Sequence, residues 1–154
     1  MTAAGIHLLL GTDGADNHDM MRLMMLMAEL LKDAREDRSV VPAQQVLEMA
    51  IIDGARALGL ADSIGSLEIG KNADIVAHDT NRPQWQPTTD RLRQLVWSAD
   101  GSGVHSVWVD GRRVVADFRC TTIDEDALYA EAQIAAAAVI ERSGLPFRPA
   151  WALS

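Results

Sequence analysis

Apolar positions change their spacing several times along the chain. Residues 6–10, Ile-His-Leu-Leu-Leu, form a short apolar run closed by Gly11. A run this short fits a buried strand or a helix fragment, and the Gly-Thr-Asp-Gly turn behind it favours the strand. Met20, Leu23, Met24, Met27, Leu30 and Leu31 then recur at helical spacing on one face. Asp16 suits the N-cap of that helix, and Asp19 its first turn, where a carboxylate meets the positive helix end. Methionine at this spacing reads as core packing rather than as a flexible binding groove.

Residues 32–41 are polar and charged, and a second helix is predicted from Pro42, a residue suited to a first helical position. Ala43, Val46, Leu47, Ala50, Ile51, Gly54, Ala55 and Leu58 carry its apolar stripe to a stop at Gly59. Gly54 and the alanines would let this helix approach a neighbour closely. From Ala61 to His78 the runs become short, β-like and broken by glycines. Residues 82–89 hold two prolines and a tryptophan and read as a loop. Residues 92–98 are expected to form a strand. Val104 to Val109 and Arg112 to Asp117 flank Asp110-Gly111, a strong hairpin signal. Thr122 and Glu125 form a capping-box pair ahead of an alanine-rich helix running to about Arg142, which Ser143-Gly144 ends. The tail from Leu145 is expected to be extended.

Composition narrows the functional classes. The net charge is -8, which argues against nucleic acid, because phosphate neutralisation needs clustered Lys and Arg. Arg112-Arg113 is the only adjacent arginine pair. No apolar run approaches the roughly 20 residues that span a bilayer, so no membrane partner is expected. The single cysteine, Cys120, fits a reducing cytoplasm and reads as an inert thiol. Length and pattern together give an α/β chain whose first part resembles a piece of a parallel fold and whose second part resembles a small antiparallel sheet. Neither piece looks complete, since one strand and two amphipathic helices cannot cover both faces of a parallel sheet.

Two stretches identify a relationship. One is Gly11-Thr-Asp-Gly14 behind the apolar run. The other is Gly54-Ala-Arg-Ala-Leu-Gly-Leu60 followed by Ile64-Gly-Ser-Leu-Glu-Ile-Gly-Lys-Asn-Ala-Asp-Ile-Val76. Together with Val107-Trp-Val-Asp-Gly-Arg-Arg-Val-Val-Ala-Asp117 they resemble the C-terminal third of the amidohydrolase superfamily. The similarity is to its cytosine, guanine and adenosine-derivative deaminases and its triazine chlorohydrolases, over roughly residues 3–142. The resemblance implies the C-terminal fragment of a (β/α)8 barrel: its last strand and helices in residues 1–60, part of a small β-sandwich in 61–120, and a C-terminal helix and tail in 121–154.

The resemblance also implies a site. Asp13 would stand at the end of the last barrel strand, at the mouth where such barrels carry catalytic groups. There it would contact a divalent metal, zinc or iron, and handle the proton of the attacking water. Asn17 and His18 would face the substrate, a nitrogen heterocycle losing an amino or chloro group. From spacing alone, Asp13 reads as a turn or cap aspartate, and Asn17 and His18 as a solvated first helical turn. The superfamily's His-x-His pair is absent, and none of His7, His18, His78 and His105 matches its histidine ligands. One carboxylate does not hold a catalytic zinc, which takes about three protein ligands. The chain is therefore expected to be part of a longer enzyme, inactive alone. The alternative is a non-catalytic subunit that pairs with a missing N-terminal part or with itself. Glu68, Lys71 and Asp74 are read as turn-forming residues without a catalytic role.

Overall fold

The computed structural model describes residues 6, 8–14 and 18–145. Three helices and one further short helix form a layer beside a four-stranded sheet, and a last helix projects from the end. The apolar run before Gly11 is not a strand. Residues 8–12 form no ladder, and Ile6 and Leu9 are exposed. A strand needs a partner for its amides, and the one backbone bond here joins the Leu10 amide to the Met49 carbonyl at 3.2 Å.

Helix α1 (Met20–Arg35) starts one cap later than the sequence suggests. Asp19 is the N-cap, accepting the Met21 amide at 2.9 Å, and Asp16 lies outside the described residues. Met21, Met24 and Ala28 form its buried line. The helix runs on through four residues of the polar stretch. It closes at Glu36, whose left-handed conformation lets the Glu36 and Asp37 amides reach the Asp33 and Lys32 carbonyls. Lys32 and Arg35 sit in the last turn, where cations meet the negative helix end.

The second predicted helix is two. Helix α2 (Ala43–Ala50) has Pro42 as its N-cap, and α3 (Ile52–Ala57) follows a break at Ile51, whose φ of -120° and ψ of -83° are not helical. The stop at Gly59 is as predicted: with φ +70° it sends its amide to Arg56, and the Leu60 amide reaches Ala55 at 2.8 Å. The close approach is made by a different glycine. A Cβ on Gly54 would meet nothing within 4 Å, whereas one on Gly65 would lie 2.8 Å from the Ala55 Cβ.

Residues 92–98 are helical, not a strand. Helix α4 (Arg91–Trp97) is capped by Asp90, which accepts the Arg93 amide at 3.0 Å. Leu92, Leu95 and Val96 face α1 and α2, so the run is apolar at helical spacing that seven residues are too few to reveal. Val96 and Val46 are fully buried beside Met21, Met24, Ala28, Ala43, Trp85 and Ala99, and this cluster is the core. Lys32 closes its edge: its Nζ donates to the Val41 carbonyl at 2.9 Å and lies 4.7 Å from the Trp97 ring centre.

The sheet comprises β1 (Ile75–His78), β2 (Val104–Val109), β3 (Arg112–Ala116) and β4 (Arg119–Cys120), in that order and antiparallel throughout. The Asp110-Gly111 hairpin forms as predicted, with φ values of 49° and 75° that match a type I′ turn. Asp74 ties it down by accepting the Asp110 amide at 2.7 Å. Helix α5 (Glu125–Ser143) ends at Gly144, as expected, but its cap is Asp124 rather than Thr122. Glu125 turns back instead to accept the Cys120 amide at 2.7 Å, which removes it from any capping box. No residue of α5 is buried, and among the described residues no helix is long and apolar enough to cross a membrane.

Two stability outcomes follow from this packing. Met24→Ala should lower the unfolding free energy by about 2–5 kcal/mol through loss of buried methylenes, while Met25→Ala, at an exposed position, should stay within about 0.5 kcal/mol; urea titration compares them. His78 behaves differently. Burial holds its imidazole below the usual value, so the folded state prefers the neutral ring. Its contribution is complete above about pH 6.5 and is lost as pH falls through the lowered value. A His78→Leu variant should therefore lose less melting temperature than the parent between pH 7 and 5, measured by thermal scans at both pH values.

Candidate functional site

Asp13 occupies a turn with Gly14 at a φ of 52°. Aspartate is one of the few side chains that enter this left-handed region at modest cost. The result is an exposed carboxylate with no hydrogen-bond or ion-pair partner among the described residues. The turn sits between two anchors, the Leu10 amide on Met49 and the cap at Asp19. His18, the other described candidate, is exposed directly before that cap. Asn17 lies outside the described residues, as does His7. Asp13 and His18 thus stand on the same short segment entering α1.

The remaining histidines belong to the sheet. His78 packs its ring 5.8 Å from that of Trp85, and its Nδ1 is buried without a partner among the described residues. His105 belongs to a network that the sequence did not reveal. Its Nε2 lies 3.2 Å from Asp117 Oδ1 and its Nδ1 2.8 Å from the Ser106 hydroxyl, which also accepts from Arg113 at 2.7 Å. Phe118 sets its edge against the His105 ring at 5.0 Å, and the Arg82 guanidinium covers the other aromatic surface at 4.4 Å. Ser106 is 2% exposed, so its hydroxyl is closed to a substrate, while the His105 and Asp117 side chains are 40% and 80% exposed. Adjacent sequence positions hint at none of it, because Asp117 and Phe118 return through a second tight turn at φ values of 51° and 67°.

Glu68, Lys71 and Asp74 make local contacts. Lys71 lies 3.1 Å from Glu68 and donates to Ser66 at 2.6 Å, and the Ser66 hydroxyl also binds Glu68. Ser66 and Lys71 hold the Glu68 carboxyl below the usual range. Cys120 ends β4, and the Thr122 hydroxyl, 3.1 Å away, holds its pKa down.

The described residues contain no group of three or more His, Cys, Asp or Glu side chains that could hold a metal ion. Asp13 offers one carboxylate, and a zinc site needs about three protein ligands. These residues therefore do not constitute a metal site by themselves. Nor does the carboxylate open into the groove of about 730 Å³ lined by Lys32, Arg38, Arg93 and Trp97, which lies at the opposite end of α1.

Known proteins supply the frame for this arrangement. An S-triazine hydrolase of Gordonia rubripertincta is 39% identical over 98% of this chain and 33% of its own length. A 5-methylthioadenosine/S-adenosylhomocysteine deaminase of Desulforudis audaxviator is 44% identical over 92% of this chain and 34% of its own. The crystal structure of an adenosine deaminase from Xanthomonas campestris with bound zinc superposes with a TM-score of 0.87 at 33% identity, covering 91% of this chain and 33% of that one. The chain thus spans about a third of the length of the curated relatives it matches. Residues 1–114 match the amidohydrolase family, and with these relatives the match shows that the chain belongs to that family.

Proposed function

We propose that this chain is the closing portion of a hydrolase that replaces an amino or chloro substituent of a nitrogen heterocycle with hydroxyl. In this reading the helical layer is the end of a (β/α)8 barrel, the four strands are part of a β-sandwich, and the residues 8–12 follow the course of the last barrel strand. The observation that supports it is the exposed Asp13 carboxylate, without a hydrogen-bond or ion-pair partner among the described residues, in a chain whose residues 1–114 match the amidohydrolase family; the reading sets its turn at the mouth of the barrel. The deaminase and triazine-hydrolase names of the relatives support the reaction class, and both reactions displace a leaving group with water.

Asp13 takes the proton of the attacking water as the carbon–oxygen bond forms. It returns that proton to the leaving amine, and the carbon–nitrogen bond breaks to release ammonia; a chloro substituent leaves as chloride. A carboxylate in general acid–base service contributes about 10²–10⁴-fold. His18 and Asn17 stand on the same segment and are assigned to the substrate. The zinc in the Xanthomonas enzyme supports a divalent metal in the complete protein, to which Asp13 is assigned among the described residues.

In a complete enzyme carrying this chain, Asp13→Asn should lower ammonia release from an aminated purine nucleoside or s-triazine by about 10²-fold or more, with the melting temperature unchanged. Parental turnover in that variant would overturn the assignment.

A second reading concerns the chain alone: it associates through faces left uncovered. Leu26 and Leu30 on α1 are 52% and 58% exposed, and Ile134 on α5 is 72% exposed. Apolar area of this kind drives association. Multi-angle light scattering of the purified chain should show a mass above that of one chain across micromolar concentrations; a stable monomer would remove this reading.

A further inference from the structure

The C-terminal half of α1 and the helix α4 line a groove of about 730 Å³ in which charges of both signs stand apart. Glu29, Asp33 and Glu36 come from α1 and its C-cap; Arg38 comes from the connection to α2, and Arg93 from α4. All five are exposed, and none of their side chains makes a hydrogen bond or ion pair among the described residues. The other charged groups of the groove are engaged. Lys32 reaches the Val41 carbonyl and the Trp97 ring, and Asp37 accepts from the Ser39 amide at 2.8 Å and its hydroxyl at 2.6 Å. Elsewhere on the surface opposite charges do pair within the chain, as in Arg56–Asp53, Arg82–Asp79 and Arg119–Asp126.

A groove whose carboxylates and guanidiniums do not reach one another is complementary to itself. A two-fold axis through it sets the α1 carboxylates of one copy against the arginines of the other, and each contact is made twice. Arginine suits such a contact because its planar fork binds a carboxylate through two parallel hydrogen bonds. The same strip of α1 carries apolar area to bury. Leu26 and Leu30, 52% and 58% exposed, lie three residues before Glu29 and Asp33, within one turn on the helix surface. Arginine and tryptophan are also the residues that interfaces favour, and Trp97 lines the groove. A small anion is a poorer occupant, since the lining holds four carboxylates, Asp37 included, against three cations, Lys32 included.

We propose that this groove is the contact between two copies of the chain, an isologous interface in which Glu29, Asp33 and Glu36 of each copy meet Arg38 and Arg93 of the other. The inference rests on the self-association reading and gives it a place.

Two double variants test it. Arg38→Glu with Arg93→Glu reverses the basic side, and Glu29→Lys with Asp33→Lys reverses the acidic side. All four positions are exposed, so the melting temperatures should stay near that of the parent. Sedimentation equilibrium of the purified full chain should show the parent associating to at least two copies. Each double variant should associate roughly tenfold more weakly or less, because like charges then face one another. An equimolar mixture of the two should associate again, because every reversed side meets an opposite one. Parental association in both double variants would overturn this interface and leave the self-association reading to other faces, such as that of Ile134. A monomeric parent would overturn both and leave the groove to the rest of the proposed hydrolase. Weakened variants whose mixture stays monomeric would overturn the two-fold pairing.

Discussion

The burial of Val96 and Ala99 against α1 and α2 is the contact on which the rest depends. These residues and Trp85 come from the second half of the chain, yet they complete a core whose other members are Met21, Met24, Ala28, Ala43 and Val46. Without α4 the two amphipathic helices would expose their shared face, and without that face α4, seven residues long, would have no reason to be helical. The core therefore fastens the helical layer to the sheet, since α4 leads through a short turn directly into β2.

That fastening extends to the start of α1. The same turn that follows α4 carries the Gly101 amide to Asp19, the N-cap of α1, so the helix start and the entry to the sheet are joined. The sheet is braced on its own side by the Asp74 link to the Asp110-Gly111 turn and by the Ser106–His105–Asp117 contacts, of which only Ser106 is buried. Both keep the sheet a rigid support rather than a second reactive centre.

The uncovered surfaces agree with the one-third coverage of the relatives. Helix α5 has apolar side chains on all sides and buries none of them, and α1 exposes Leu26 and Leu30 opposite its buried line. An all-round apolar helix is normally enclosed by other elements. The reading of this chain as a contributor to a larger catalytic unit and the reading of it as a self-associating subunit both begin from these surfaces.

Local chemistry determined the elements whose signals are contained within a few residues. The Asp110-Gly111 hairpin needed only two residues able to adopt positive φ. The stops at Gly59 and Gly144 needed only a residue tolerant of the left-handed region. Helical spacing placed α1, but of the stripe read from it only Met24 is buried: the buried line runs through Met21, Met24 and Ala28 and leaves Leu30 exposed, because the packing of α2 and α4 selects the face. The relationship to amidohydrolases was likewise carried by contiguous motifs. What depended on a partner was decided only in three dimensions. The run 6–10 has strand composition, but its described residues find no neighbouring strand among the described residues and form no ladder. Residues 92–98 could have been strand or helix, and the apolar face of α1 and α2 selected the helix. Asp19 read as a first-turn carboxylate; its bond to Gly101 depends on where the whole chain has brought that turn. Hydrogen bonds between residues 82 positions apart leave no periodicity in a sequence, and for that reason the fold alone reveals them.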